Sequence, residues 1–311
     1  MKTNISLILI LCLLLGACKN GNASSQNKSE TPQDTIKAIK MPAIPQMMTA
    51  PEQRADFLAK HYWDNVNFAD TNYIHHPEVT EQAWADYCDL LNHVPLETAQ
   101  QAMRNVIDRT NVDKKVFTYI TVLADKYLYD PNSPMRNEEF YIPVLEAMIA
   151  SPVLNETEKI RPQARLKLAQ KNRIGTKALN FTYTLASGAQ GSLYQLKAEY
   201  LLLFINNPGC QACTETIEGL KNAPIINQLL QEKKLVLLSI YPDEELDEWK
   251  KHLSEFPNEW INGYDKKFTI KEEQVYDLKA IPTLYLLDKD KTVLLKDATA
   301  PAIEAYLMQH Q

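Results

Sequence analysis

The chain has 311 residues, 45% of them hydrophobic and 23% charged, with a formal net charge of −6. That length and composition suit a globular protein with room for two domains and two cores. The acidic balance contains no block of Lys or Arg, which argues against a protein that neutralises a nucleic-acid backbone.

Residues 1–17 carry Lys2, an apolar run from Ile5 to Leu15, and small residues before Cys18. The run is short for a bilayer span and reads as an export signal. Leu15-Gly16-Ala17-Cys18 resembles a bacterial lipobox, which implies cleavage before Cys18, lipidation of its thiol, and a membrane anchor with no spanning helix. Lys19 and Asn20 follow in place of an aspartate, which leans toward the outer membrane. The expected location is therefore periplasm-facing, where disulfides form and persist. Cys12 would leave with the signal, so Cys88, Cys210 and Cys213 would remain as thiols.

Residues 18–48 are rich in Asn, Ser, Gln, Lys and Pro and read as a flexible tether. Helical periodicity begins at Thr49, where Thr49 and Glu52 fit a capping box and Pro51 a first turn, with Leu58, Tyr62 and Trp63 on the apolar side. Further helices are expected at Pro77 to Leu91, Pro95 to Arg109, Val112 to Tyr129, Asn137 to Ala150 and Glu156 to Lys171. An all-α domain of unknown function over 49–172 follows. His75 and His76, adjacent and just before Pro77, read as a surface loop, and Cys88 as a buried apolar side chain among Trp84, Tyr87, Leu90 and Leu91.

From 173 to 311 the pattern is α/β. Ala178 to Ala186 alternates, a turn follows, and Ser192 to Leu196 would return as the second strand of a hairpin. Apolar runs at Tyr200 to Ile205, Leu235 to Tyr241 and Thr283 to Leu287 read as buried strands, with a further strand at Thr292 to Leu295. Helices are expected at Cys210 to Leu220, Glu244 to Leu253, Lys271 to Leu278 and Pro301 to Met308.

Cys210-Gln211-Ala212-Cys213 falls where a strand turns through Pro208 and Gly209 into a helix. Unpaired N–H groups of that helix's first turn would face the Cys210 sulfur and favour a thiolate, and Cys213, one turn on, could resolve a mixed disulfide. A zinc site needs four ligands, but Cys88 is the remaining thiol and the six histidines show no ligand spacing toward the pair. Covalent haem would need a histidine where Thr214 stands. Asn207 and Leu203 occupy the places where a peroxiredoxin carries its Thr and Pro. A purely structural disulfide would close too small a loop to constrain the unfolded chain much.

Asn180 to Thr184, the Gly191-Ser192-Leu193 return, LLLFINNPGCQAC, the Trp249 helix and YDLKAIPTLYLLDKD resemble the TlpA/ResA type of thioredoxin-like protein, over roughly Gly175 to Gln311. That resemblance implies a thioredoxin-like fold for 173–311 and thiol:disulfide exchange without cofactor or metal. It makes Cys210 the nucleophile, Cys213 the resolving thiol and Pro282 a cis-proline that presents substrate. Ile281 before that proline is similar to the reducing members, which implies protein disulfides as substrates and an upstream reductant protein as donor. The departures are Gly209 in place of a tryptophan, Phe204 in place of a buried aspartate, and Thr216 in place of an acid. Glu218 is a candidate proton relay, with a solvated helix residue as the alternative. The segment 49–172 looks similar to an uncharacterised helical domain of exported proteins with this arrangement. The function expected is a membrane-anchored thiol:disulfide oxidoreductase. A non-catalytic binding or scaffold lipoprotein and a disulfide oxidant or isomerase are the alternatives.

Overall fold

Pro51 opens the first helix, α1 (Pro51–His61), where its missing N–H interrupts no hydrogen bond. The computed structural model describes residues 38–310; Cys12, Cys18 and most of the expected tether lie outside them. The Thr49–Glu52 capping box is not formed. Ala50 is the N-cap, so Glu52 falls at the second helical position, one short of where a box needs it.

Five more helices follow: α2 (Pro77–Leu91), α3 (Leu96–Arg109), α4 (Lys114–Ala124), α5 (Glu138–Ala150) and α6 (Glu156–Ala169). The single helix expected from Val112 to Tyr129 is three pieces. A 3-10 turn covers Thr110–Val112, Asp113 caps α4 by accepting from the Lys115 and Val116 N–H groups, and Asp125–Tyr129 winds as a π turn. Arg165 holds Asp125 at 2.7 Å and lies over the Tyr129 ring at 4.2 Å, so tertiary partners are satisfied at this widened turn. On α3 the spacing of Ala99, Ala102, Met103, Val106 and Ile107 makes one apolar face. It joins a buried core with Trp84, Tyr87, Phe117 and Leu145. Each such large side chain contributes about 1.5–3 kcal/mol when fully buried. Residues 38–48 also touch this half: Ile39 packs on its core and the Lys40 carbonyl accepts from Asn65.

The second half is one seven-stranded sheet ordered β2-β1-β5-β4-β3-β6-β7. Its strands are β1 (Thr182–Leu185), β2 (Gln190–Ser192), β3 (Tyr200–Ile205), β4 (Leu235–Tyr241), β5 (Ile261–Tyr264), β6 (Thr283–Asp288) and β7 (Val293–Lys296). β3, β4 and β5 run parallel, and the outer pairs are antiparallel. Its helices are α7 (Gln211–Lys221), α8 (Pro224–Gln231), α9 (Leu246–Lys251), α10 (Thr269–Glu272) and α11 (Ala300–Gln309).

Several sequence expectations shift here. The hairpin's return strand sits earlier, at Gln190–Ser192, and Leu193–Gln195 forms a 3-10 turn that buries Leu193. Gly191 lies opposite Tyr183, and a Cβ there would meet the Tyr183 ring at 2.6 Å, which is why this strand needs glycine. The helix expected at Lys271 to Leu278 is only α10, because Gln274 takes φ +50 and turns the chain so that Tyr276 and Asp277 go inward. α8 and β5 were not expected: α8, with Pro224 in its first turn and Ile226 and Leu229 buried, is nonetheless an amphipathic helix, and β5 carries too little apolar sequence to stand out. β5 exists because β1 and β4 both pair with it.

Along β3, Leu202 and Phe204 face α7, α8 and α11, while Leu201, Leu203 and Ile205 face Tyr276 and Tyr285, the period-two alternation of a strand buried on both faces. The helical and α/β halves belong to one compact unit. Polar groups join them. The Lys171 ammonium donates to the Gln274 carbonyl at 2.6 Å, the Asn172 amide to the Val275 carbonyl at 2.8 Å, and Arg173 pairs with Glu139 of α5.

Candidate active site

β3 ends at Ile205, and the chain turns through Asn207, Pro208 and Gly209 into α7. Gly209 has φ +71, a conformation L side chains rarely adopt, so glycine rather than a tryptophan fits this turn. The turn makes Cys210 the N-cap of α7. The Cys213 N–H donates to the Cys210 sulfur at 3.3 Å, one of the helix's orphan donors aimed at a polarizable acceptor. Cys210 is half-buried and Cys213 is 2% exposed; both are free thiols. Burial, and then the hydrogen bond with Cys210, push the Cys213 thiol up to about 12, while a hydrogen bond from the Asn207 backbone pulls the other way. At neutral pH Cys213 therefore keeps its proton.

The Ile281–Pro282 peptide is cis. It leads into β6, antiparallel neighbour of β3, and so returns to the end of the sheet where α7 begins. The Cys210 thiol donates to the Ile281 carbonyl at 3.8 Å. Thus the fold brings together Cys210, Cys213, Ile281 and Pro282, with Pro208 and Gly209 forming the turn beneath them. It does not bring Glu218 to them. That side chain is 58% exposed and pairs with Lys221 at 2.9 Å. Phe204 is fully buried in the core below.

A cleft of about 700 Å³ opens beside this pair. One wall is the exposed face of α7, with Ala212, Glu215 and Thr216, and its floor is 279–284 with Ile281 and Pro282. Its other wall comes from the helical half, where the loop before α5 contributes Pro131, Asn132 and Arg136. Three residues here, Lys279, Glu138 and Arg136, are not marked by any motif in the sequence. Lys279, in the run before Ile281, is held by Glu138, Asp277 and Asp297 at 3.0, 3.0 and 3.1 Å. A lysine two residues ahead of Ile281 and four ahead of an apolar strand was its visible signal; nothing in the sequence marked Glu138 or Arg136 as its neighbours.

Comparisons with known proteins match both halves of the chain. Residues 17–172 match the family described as a domain of unknown function, DUF5106, and residues 198–293 match a family described as thioredoxin-like. A crystal structure of a thioredoxin-like protein from Bacteroides caccae is 83% identical, with 89% of this chain and 100% of that one aligned at a TM-score of 0.87. The C-terminal domain of an uncharacterized protein from Bacteroides fragilis is 69% identical, covering 44% of this chain and 98% of that one at a TM-score of 0.44. The thioredoxin domain of a thiol-disulfide oxidoreductase from Bacteroides vulgatus is 19% identical, covering 44% and 97% at a TM-score of 0.40. No curated protein matches the chain. The fold and the site define a thioredoxin-like protein with a CxxC pair at a helix N-terminus. The chain belongs to the thioredoxin-like proteins in which a DUF5106 domain precedes the thioredoxin-like one.

Proposed function

We propose that the protein is an exported, lipid-anchored thiol:disulfide oxidoreductase that reduces disulfides in other proteins. The observation that carries the reading is the geometry at Cys210: a half-buried sulfur, a backbone N–H 3.3 Å away, and the carbonyl preceding Pro282 within reach at the edge of an open cleft. In the reaction, the Cys210 thiolate attacks one sulfur of a substrate cystine. That S–S bond breaks, the other substrate sulfur leaves and is protonated, and a mixed disulfide joins substrate to Cys210. Cys213 then attacks the Cys210 sulfur, its proton passing to the departing substrate sulfur. The substrate has gained two electrons and two protons, and Cys210–Cys213 is a disulfide until an upstream dithiol protein reduces it. The raised pKa of Cys213 suits this order, since the resolving thiol stays protonated until the mixed disulfide sits beside it.

Insulin reduction by dithiothreitol tests the reading. Wild-type protein should speed precipitation of the B chain by about tenfold or more over a Cys210→Ser variant. Equal rates would favour a non-catalytic docking role. The reducing direction rests on Ile281 and is tested by the reduction potential against glutathione. A value near that of strong oxidants would assign the protein to disulfide formation instead. The anchor is tested by labelling with a fatty acid in a bacterial host, where a Cys18→Ser variant should take up none.

A further inference from the structure

We infer that the helical half selects substrates for this site, through Arg136, and that the cleft takes an extended, disulfide-bearing polypeptide segment with an acidic residue beside its cystine. The inference rests on the thiol–disulfide exchange proposed above. Arg136 lies in the loop ahead of α5 and lines the same cleft as Ile281 and Pro282. Its guanidinium donates to two carbonyls, that of Asp297 at 2.5 Å and that of Pro131 at 3.4 Å. Among the described residues no carboxylate lies within ion-pair distance of it, so the half-buried charge is positioned but not neutralised. Of the five N–H donors on a guanidinium, two are used and three remain for a ligand. Of the acidic groups in the cleft, Asp297 is paired with Lys279 at 3.1 Å, while Glu215, on the α7 wall, accepts from the neutral Gln211 amide at 2.9 Å and keeps its charge. The two walls therefore differ in sign: α7 presents the Glu215 carboxylate and the 131–136 loop the unpaired Arg136, a planar cation whose free donors suit a carboxylate on that side of the cleft.

The position fits a polypeptide rather than a small disulfide. A substrate sulfur held against Cys210 places its flanking chain along the floor at Ile281–Pro282, between α7 and the 131–136 loop. On the side of the 131–136 loop a flanking Asp or Glu would pair with Arg136, whereas a flanking Lys there would be repelled by it. Long-range steering acts in the opposite sense, because the chain's net charge of −6 attracts basic peptides. A preference for acidic peptides would thus report the local cation and not the overall field.

The test follows oxidation of the pre-reduced full chain by three disulfides: hydroxyethyl disulfide, a short cystine-linked peptide flanked by Glu, and the same peptide flanked by Lys. Quenched alkylation and mass measurement give each second-order rate constant. The Glu peptide should react about tenfold faster than the Lys peptide, which corresponds to about 1.4 kcal/mol. That ratio should fall toward one in Arg136→Gln and be largely kept in Arg136→Lys. Because it is taken within one protein, partial loss of folded material cancels. Oxidation by hydroxyethyl disulfide with no difference between the peptides, or an unchanged ratio in Arg136→Gln, would overturn this inference and leave the exchange chemistry standing. Failure of all three disulfides to oxidise the chain would remove both.

Discussion

Lys279 of the cis-proline loop and Glu138 in the first turn of α5 form an ion pair of 3.0 Å, with side chains 8% and 13% exposed. Asp277 and Asp297 also hold Lys279, and Glu138 also holds Lys296, so three carboxylates face two ammonium groups in a nearly water-free interface. Burial alone would lower the Lys279 pKa. Asp297, Glu138 and Asp277 outweigh it and raise the value. The helical half is thereby tied to the residues just ahead of Ile281.

Removing the central cation should be the more damaging change. Lys279→Met leaves three carboxylates facing one remaining ammonium and should cost about 3–5 kcal/mol, the usual penalty for orphaning buried charge. Glu138→Gln keeps the shape and leaves Lys279 two carboxylates, while Lys296 still donates to the Lys171 carbonyl at 2.7 Å, so a loss of about 1–3 kcal/mol is expected. Urea unfolding of the two variants checks the order. A costlier Glu138→Gln would contradict the picture of Lys279 as the hub.

Thiol labelling should be ordered. With its pKa pushed up to about 12, Cys213 presents about one thiolate in ten thousand at pH 8, and its sulfur is also covered. Brief iodoacetamide treatment of the reduced chain at pH 8 should therefore modify Cys210 well before Cys213 or Cys88. Peptide mass mapping that found equal labelling would rule out the buried placement of Cys213.

Alkaline pH should destabilise the fold, and Cys88 offers a clean way to see it. Burial pushes its thiol from 9.0 up to about 12. Above pH 9 the unfolded chain gives up this proton while the folded chain keeps it, so the folded state binds more protons and stability falls as pH rises. The stabilisation is complete below pH 9 and declines by about 1.4 kcal/mol per pH unit once the unfolded thiol is ionised. Cys213 and the raised Lys279 act in the same direction, the lysine only above its ordinary 10.5. In Cys88→Ala the slope of unfolding free energy between pH 9.5 and 11 should be shallower by about that amount. An unchanged slope would mean the Cys88 thiol meets solvent.

Much of this was legible along the chain because it is local. The Pro77–Leu91 helix, the Tyr200–Ile205 and Leu235–Tyr241 strands, and the turn ahead of Cys210 each follow from apolar period, proline or glycine within a few residues. β5 and α10 were not. Ile261–Tyr264 becomes a strand by borrowing edges from β1 and β4, and α10 stops where Gln274 takes φ +50 to bury Tyr276. The helix expected through Tyr129 gave way to a π turn held by Arg165, a residue far along the chain.

The sequence by itself determined that a helix would begin at Cys210 and that Cys213 would lie one turn on, because caps and helical pitch are properties of a few adjacent residues. Only the tertiary structure decided that Ile281 would face that sulfur, that Glu138 would grip Lys279, and that Arg136 would stand without a carboxylate across the cleft. Those placements depend on strand order and on how the two halves pack. Partners separated by many residues leave no periodic trace in a single chain.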